Sequence, residues 1–244
     1  MKLHHVSPLL LLLAAAPVHA AGINLSWNDC GTSGLALKNF ACNSNVGFHR
    51  LFTSFVSPVP MTQLVGMEQR IDVAYNQATV PSWWTMQSSG GCRAGTISAS
   101  MNYSTGPFSC TDPWMPTAAG GATIQPGTPV ANRARILAVA AVPSSTPMTV
   151  NDVDEYYAIE IRITNSKTVG GACPGCEAPA CLLLTQIKLT QPLGVGDYLI
   201  TQPLDDAMVG WQCPAFNGSP EPQCFQCPVK TNGKTWGAVK GLYR

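Results

Sequence analysis

The sequence predicts an all-β protein, an antiparallel β-sandwich of jelly-roll type built from two related halves and stapled by disulfides. Three observations predict it. First, apolar residues alternate with period 2. Ile71, Val73 and Tyr75 alternate with Asp72 and Ala74, and Tyr157, Ile159, Ile161 and Ile163 alternate with Ala158, Glu160, Arg162 and Thr164. That pattern buries one face of a strand and wets the other. Second, the chain holds 22 Gly and 20 Pro and only 11% charged residues, which suits many turns between strands and suits long helices badly. Third, a block repeats. Arg50-Leu51-Phe52, Pro60-Met61-Thr62, Glu68, Ile71-Asp72-Val73 and Cys92 recur in order as Arg135-Ile136-Leu137, Pro147-Met148-Thr149, Glu155, Ile159-Glu160-Ile161 and Cys181, with an offset growing from 85 to 89. A shared order at a nearly fixed period points to duplication.

The elements follow along the chain. Residues 1–20 form an export signal: Lys2, His4 and His5, an apolar run from Pro8 to Ala16, and small residues Val18 and Ala20 that place cleavage after Ala20. Nothing later reaches the roughly 18–20 apolar residues of a membrane span, so the mature chain is expected to be secreted or extracytoplasmic. A first β unit covers 21–125 and a second 126–212. Strands are expected at 46–56, 95–103, 135–142, 181–191 and 197–201, besides those around Asp72 and Glu160. Turn-formers such as Ser88-Ser89-Gly90-Gly91 and Gly170-Gly171 part them. Ala118 to Asn132, rich in Gly and Pro, reads as the join between the units, which leaves one sandwich or two in tandem open. From Cys213 to Arg244 the chain is Cys- and Pro-rich. Trp236, Val239, Leu242 and Tyr243 would share one face of a short terminal helix, either packed or read by sorting machinery.

Charge excludes some partners. Without Lys2 the 14 basic residues become 13, against 13 acidic, a balance that gives no electrostatic case for nucleic acid or anionic lipid. Histidine is nearly absent. Beyond the signal only His49 remains, which rules out two-His metal sites and leaves a Ser-His-Asp arrangement a single ring to use. No phosphate-cradling Gly loop, His-Glu-x-x-His or Gly-x-Ser-x-Gly occurs.

Cysteines stand at Cys30, Cys42, Cys92, Cys110, Cys173, Cys176, Cys181, Cys213, Cys224 and Cys227, an even set suited to five disulfides. Local loops favour Cys30 with Cys42 and Cys92 with Cys110. The Cys-x-x-Cys pairs Cys173/Cys176 and Cys224/Cys227 have the spacing of a four-thiolate zinc site. Export and the need to staple loops make disulfides the better reading.

Other chemistry is sparse. Asp72 and Glu160 occupy matching places in the two halves, and a glycan-active hydrolase would need such a carboxylate pair facing one bond. Each more simply belongs to the wet face of its strand. Asp152, Asp154 and Glu155 gather hard oxygens before a strand, as calcium sites do, without the spacing of a defined loop; no other cofactor is expected. Adjacent Trp83 and Trp84 would point to opposite sides if extended, and an outward ring would be a platform for a sugar, although packing against loops or the nearby Cys92 bridge is the plainer reading.

Together, Trp27-Asn28-Asp29-Cys30, Pro81-Ser82-Trp83-Trp84, Cys92-Arg93, Glu155-Tyr156-Tyr157, Cys173-Pro-Gly-Cys176 and the closing Thr235-Trp-Gly-Ala-Val-Lys-Gly-Leu-Tyr-Arg resemble a set of uncharacterised secreted bacterial proteins. The resemblance spans most of the mature chain and implies no activity and no catalytic residues. The expectation is a non-enzymatic structural or binding protein of the cell surface or matrix, with an extracellular glycan or protein as partner. A carbohydrate-binding module and a hydrolase are the alternatives.

Overall fold

The structure is a computed structural model that describes residues 21–212. Thirteen strands appear among them: β1 (Gly22–Trp27), β2 (Leu37–Lys38), β3 (Phe48–Val56), β4 (Met61–Leu64), β5 (Gly66–Tyr75), β6 (Ile97–Ser100), β7 (Ala119–Pro126), β8 (Arg133–Ala141), β9 (Met148–Val150), β10 (Glu155–Thr164), β11 (Ala180–Thr190), β12 (Tyr198–Ile200) and β13 (Met208–Trp211). The helical pieces among these residues are two single 3₁₀ turns, Gly31–Ser33 and Ser82–Trp84. The expected export signal and terminal helix, and Cys213, Cys224 and Cys227, lie outside the described residues.

Two sheets make the sandwich. The first runs β1-β3-β10-β6, the second β2-β13-β11-β5-β8-β7 with β12 added beside β11, and β4 pairs with β9 in a small third ladder. All pairings are antiparallel except β2 with β13. Strands of both predicted units share both large sheets, so the described residues form one sandwich.

The two halves interlock by exchange. β3 pairs with β10, β5 with β8, and β4 with β9. The run β1-β3-β10-β6 of one sheet is therefore matched by β7-β8-β5-β11 of the other. The predicted join at 118–132 is largely strand β7 and its turn into β8, because a Gly-rich stretch can still pair as an edge while offering no apolar pattern.

Alternation places the core. Ile71 and Val73 of β5, Ile136 and Ala138 of β8, Leu182 and Leu184 of β11, and Ile161 and Ile163 of β10 are buried in one continuous cluster with Ile23, Leu25 and Trp27 of β1. Thr53 bridges the layers: its hydroxyl donates to Gln69 Oε1 at 2.7 Å and meets both the N–H and the C=O of Ile159. That satisfies the backbone where β10 bulges between Tyr157 and Glu160.

The disulfides correct the local pairing. Cys30 joins Cys110, Cys42 joins Cys176 and Cys92 joins Cys173, at separations of 80, 134 and 81 residues. Nearness in sequence loses to sheet topology: each bridge ties a loop to one that the strand pairing sets beside it. Cys173 and Cys176 are spent on separate bridges rather than on a shared metal. Cys181 is disulfide-bonded as well.

Candidate functional site

The strongest candidate is the loop that leaves β6 and returns to β7. Its outbound limb, Met101–Ser104, drops Tyr103 onto Tyr157 of β10, with ring centroids 4.3 Å apart and planes within 14°. At Gly106 the backbone takes φ +83°, a conformation glycine tolerates, and its carbonyl accepts from Arg50 Nη2 at 3.0 Å. The chain then comes back along the start of β10. Ser109 N–H is donated to the Tyr157 hydroxyl, which itself donates to Asp29 Oδ1, and Ser109 Oγ donates to Asp29 Oδ2. The Cys30–Cys110 bridge and backbone bonds from Thr111 N–H to Glu155 C=O and from Tyr157 N–H to Thr111 C=O fix the return. Burial, ahead of the neighbouring Asp29, pushes the Tyr157 phenol up to about 12.

Asp112 then turns the chain by accepting the Trp114 N–H on Oδ1 at 2.9 Å. Trp114 donates its indole N–H to the Ala158 carbonyl at 2.7 Å, satisfying the other residue of the β10 bulge. Between Ser100–Ser104 and Asp112–Ala118 the loop encloses a cavity of about 540 Å³. Partial burial raises the Asp112 carboxyl against the opposing effect of the Trp114 N–H.

Beside this loop the outer face of β3 and β10 carries a closed ion cluster. Arg50 and Arg162 stand directly opposite each other, an arrangement that repels unless an anion intervenes. Glu160 supplies it, wholly buried, with Arg50 Nε at 2.6 Å and Arg162 Nε at 2.9 Å. Desolvation works to raise its carboxyl, yet the two guanidiniums outweigh it and hold Glu160 below the ordinary carboxylate value. Asp72 is tied likewise to Arg135 at 2.7 Å, on β5 and β8 of the other sheet. The two matching carboxylates thus lie in different sheets, each closed onto arginine.

The tryptophan platform is overturned. Trp83 and Trp84 are both fully buried, because residues 82–84 form a 3₁₀ turn instead of an extended strand. Both rings join Trp27, Phe40, His49 and Trp211 in one aromatic cluster. Arg93 completes it: its guanidinium lies 3.6 Å from the Trp83 ring centroid and donates to the carbonyls of Trp83, Thr164 and Ser166. Three carbonyls and a π face replace a carboxylate partner around this buried cation. His49 within the same cluster is lowered to about 4, by burial first and then by the Lys38 and Arg93 charges.

The calcium candidates divide. Asn151 accepts the N–H groups of Val153 and Asp154 and donates to Asp154 Oδ2, which closes an ordinary polar turn. Asp154 is exposed and Asp152 half-buried on that turn, while Glu155 Oε1 turns to the buried strands and accepts from Asn24 and Ser54. Within the described residues no group of three or more acidic, His or Cys ligands gathers. Nor is any helix there long and apolar enough to cross a membrane. Asp112 and Tyr103 carry no motif; an Asp-Pro-Trp turn is the one local signal the sequence offers for the cavity.

No family model matches the chain, and no curated protein matches it. Among solved structures it is similar to the second type II cohesin module from the cellulosomal adaptor ScaA scaffoldin of Acetivibrio cellulolyticus. The TM-score is 0.35 at 8% identity, over 76% of this chain and 95% of that one.

Proposed function

We propose that the protein is an extracytoplasmic β-sandwich with a non-enzymatic binding or structural role at the cell surface or matrix. One observation carries the reading: the carboxylates best matched in sequence, Asp72 and Glu160, are each neutralised by arginine in separate sheets. Neither is free to trade a proton with a substrate bound between them. The export signal, the long-range disulfides and the near balance of charge support a place outside the cytoplasm and a partner other than nucleic acid. The exchanged pairing of the halves supports their origin by duplication.

The test is incubation of the oxidised mature protein with a panel of polysaccharides and surface extracts, reading both retention and released sugar. Retention without turnover is expected. Turnover abolished by Asp72→Ala or Glu160→Ala in folded protein would overturn the proposal.

A further inference from the structure

The cavity under the 101–118 loop has the volume of a small-molecule site, roughly 300–1,000 Å³ being usual. Its lining has a specific character. Tyr103, Trp114, Met101 and Met115 contribute rings and thioethers, and Asp112 is the one charged residue among those that line it. No Lys, Arg or His among the described residues forms an ion pair with Asp112. The nearest arginine cluster is spent, since Arg50 and Arg162 both close on Glu160. Of the polar side chains nearby, Asn102 Oδ1 takes both the N–H and the O–H of Ser104 and Ser100 Oγ takes the Asn102 N–H, while the buried Tyr103 hydroxyl has no hydrogen-bond partner among the described residues.

These features select among ligand classes. An anion would meet an unpaired carboxylate. A neutral sugar needs several hydrogen-bonding groups that converge on it, whereas the Asn102 and Ser104 side chains bond each other and leave the Tyr103 hydroxyl as the buried unpartnered group of the wall. A bare divalent cation needs about six oxygens, whereas one carboxylate is present. A cation carried on an apolar body satisfies both parts of the wall, pairing its charge with the carboxylate and its carbons with rings and sulfurs.

We propose that this cavity binds an organic ammonium group, with Asp112 as counter-ion and Tyr103, Trp114, Met101 and Met115 as its apolar enclosure. The group could stand on a free amine or on a lysine side chain of a partner, which share this chemistry. The inference rests on the non-enzymatic reading above and names what the site would hold.

The experiment titrates the oxidised mature protein with choline, n-butylammonium, Nα-acetyl-lysine amide, and the neutral controls n-butanol and glucose, followed by tryptophan fluorescence and calorimetry. Asp112→Asn, which keeps an oxygen for the Trp114 N–H, is run beside it after its melting temperature is checked. Saturable binding of ammonium probes, absent for the controls and weakened at least tenfold in Asp112→Asn, is the expected result. Tighter binding of choline or butylammonium assigns a free small ammonium compound, and tighter binding of the lysine amide assigns a partner side chain. Absence of saturation by any ammonium probe, equal binding by Asp112→Asn, or equal binding of glucose would overturn it. None of those failures touches the non-enzymatic reading, which turnover alone would sink.

Discussion

Glu160 can stay ionised in a fully buried place because two guanidiniums reach it. Removing the carboxylate would leave Arg50 and Arg162 facing each other across β3 and β10. Breaking one side of a fully buried ion pair costs about 3–5 kcal/mol, and the partial exposure of Arg50 and Arg162 lets water relieve some of that. Glu160→Ala is therefore expected to lose about 2–3 kcal/mol in urea unfolding. Acid acts on the same group. Its folded value lies below the ordinary 4.5, so the unfolded chain takes up the proton first on acidification. The stabilisation is whole above that ordinary value and is lost as the pH falls through the lower, folded one. His49 adds an earlier phase. It is lowered from 6.5 to about 4, so below 6.5 protonation favours the unfolded chain. His49→Phe should flatten the fall in melting temperature between pH 6.5 and 4 while leaving the steeper loss below pH 4.5 in place, as thermal melts across pH would show.

At the scale of the element, the structure separates what patterning reveals from what packing decides. β8 was legible because it has one wet and one dry face, so alternation survives in the sequence; β10 alternates in sequence too, although Tyr156 to Ile161 are all buried and Glu160 lies under the arginines instead of on a wet face. β1 was not legible: all six of its residues are buried, since Asn24 and Ser26 on its second face are covered and hydrogen-bonded to Asp205, Asp206 and Asp29. Trp83 and Trp84 misled for a related reason, because extended chain was assumed where Pro81 opens a 3₁₀ turn. The cavity was illegible because its limbs meet only after β6 and the Thr111 segment are set beside β10. The Cys30–Cys110 bridge holds the return limb there. Replacing both residues by Ser is expected to cost about 2–4 kcal/mol, the usual contribution of a disulfide. Faster amide exchange should spread over residues 109–118, measurable by mass spectrometry.

For the whole molecule, the exchange of strands between halves means that contacts are mostly distant in sequence. Each large sheet is complete only when both halves have arrived, which makes folding dependent on long-range pairing. The recurring order was readable in the sequence through Arg50, Asp72, Arg135 and Glu160, but a nearly fixed spacing fits two tandem sandwiches as well as one interlocked body. The crossed ion pairs, Arg50 with Glu160 and Arg135 with Asp72, express the interlocked alternative in single residues.

Two bridges, Cys42–Cys176 and Cys92–Cys173, span the exposed turn between Pro126 and Arg133. A protease site placed in that turn, between Val130 and Ala131, would cut the backbone without parting the pieces. The nicked protein is expected to run at full mass on a non-reducing gel and to split into two fragments once reduced. Outside the cell, where such tips are the first places cleaved, one cut would leave an intact body. Its fate would then be decided by the redox state around it.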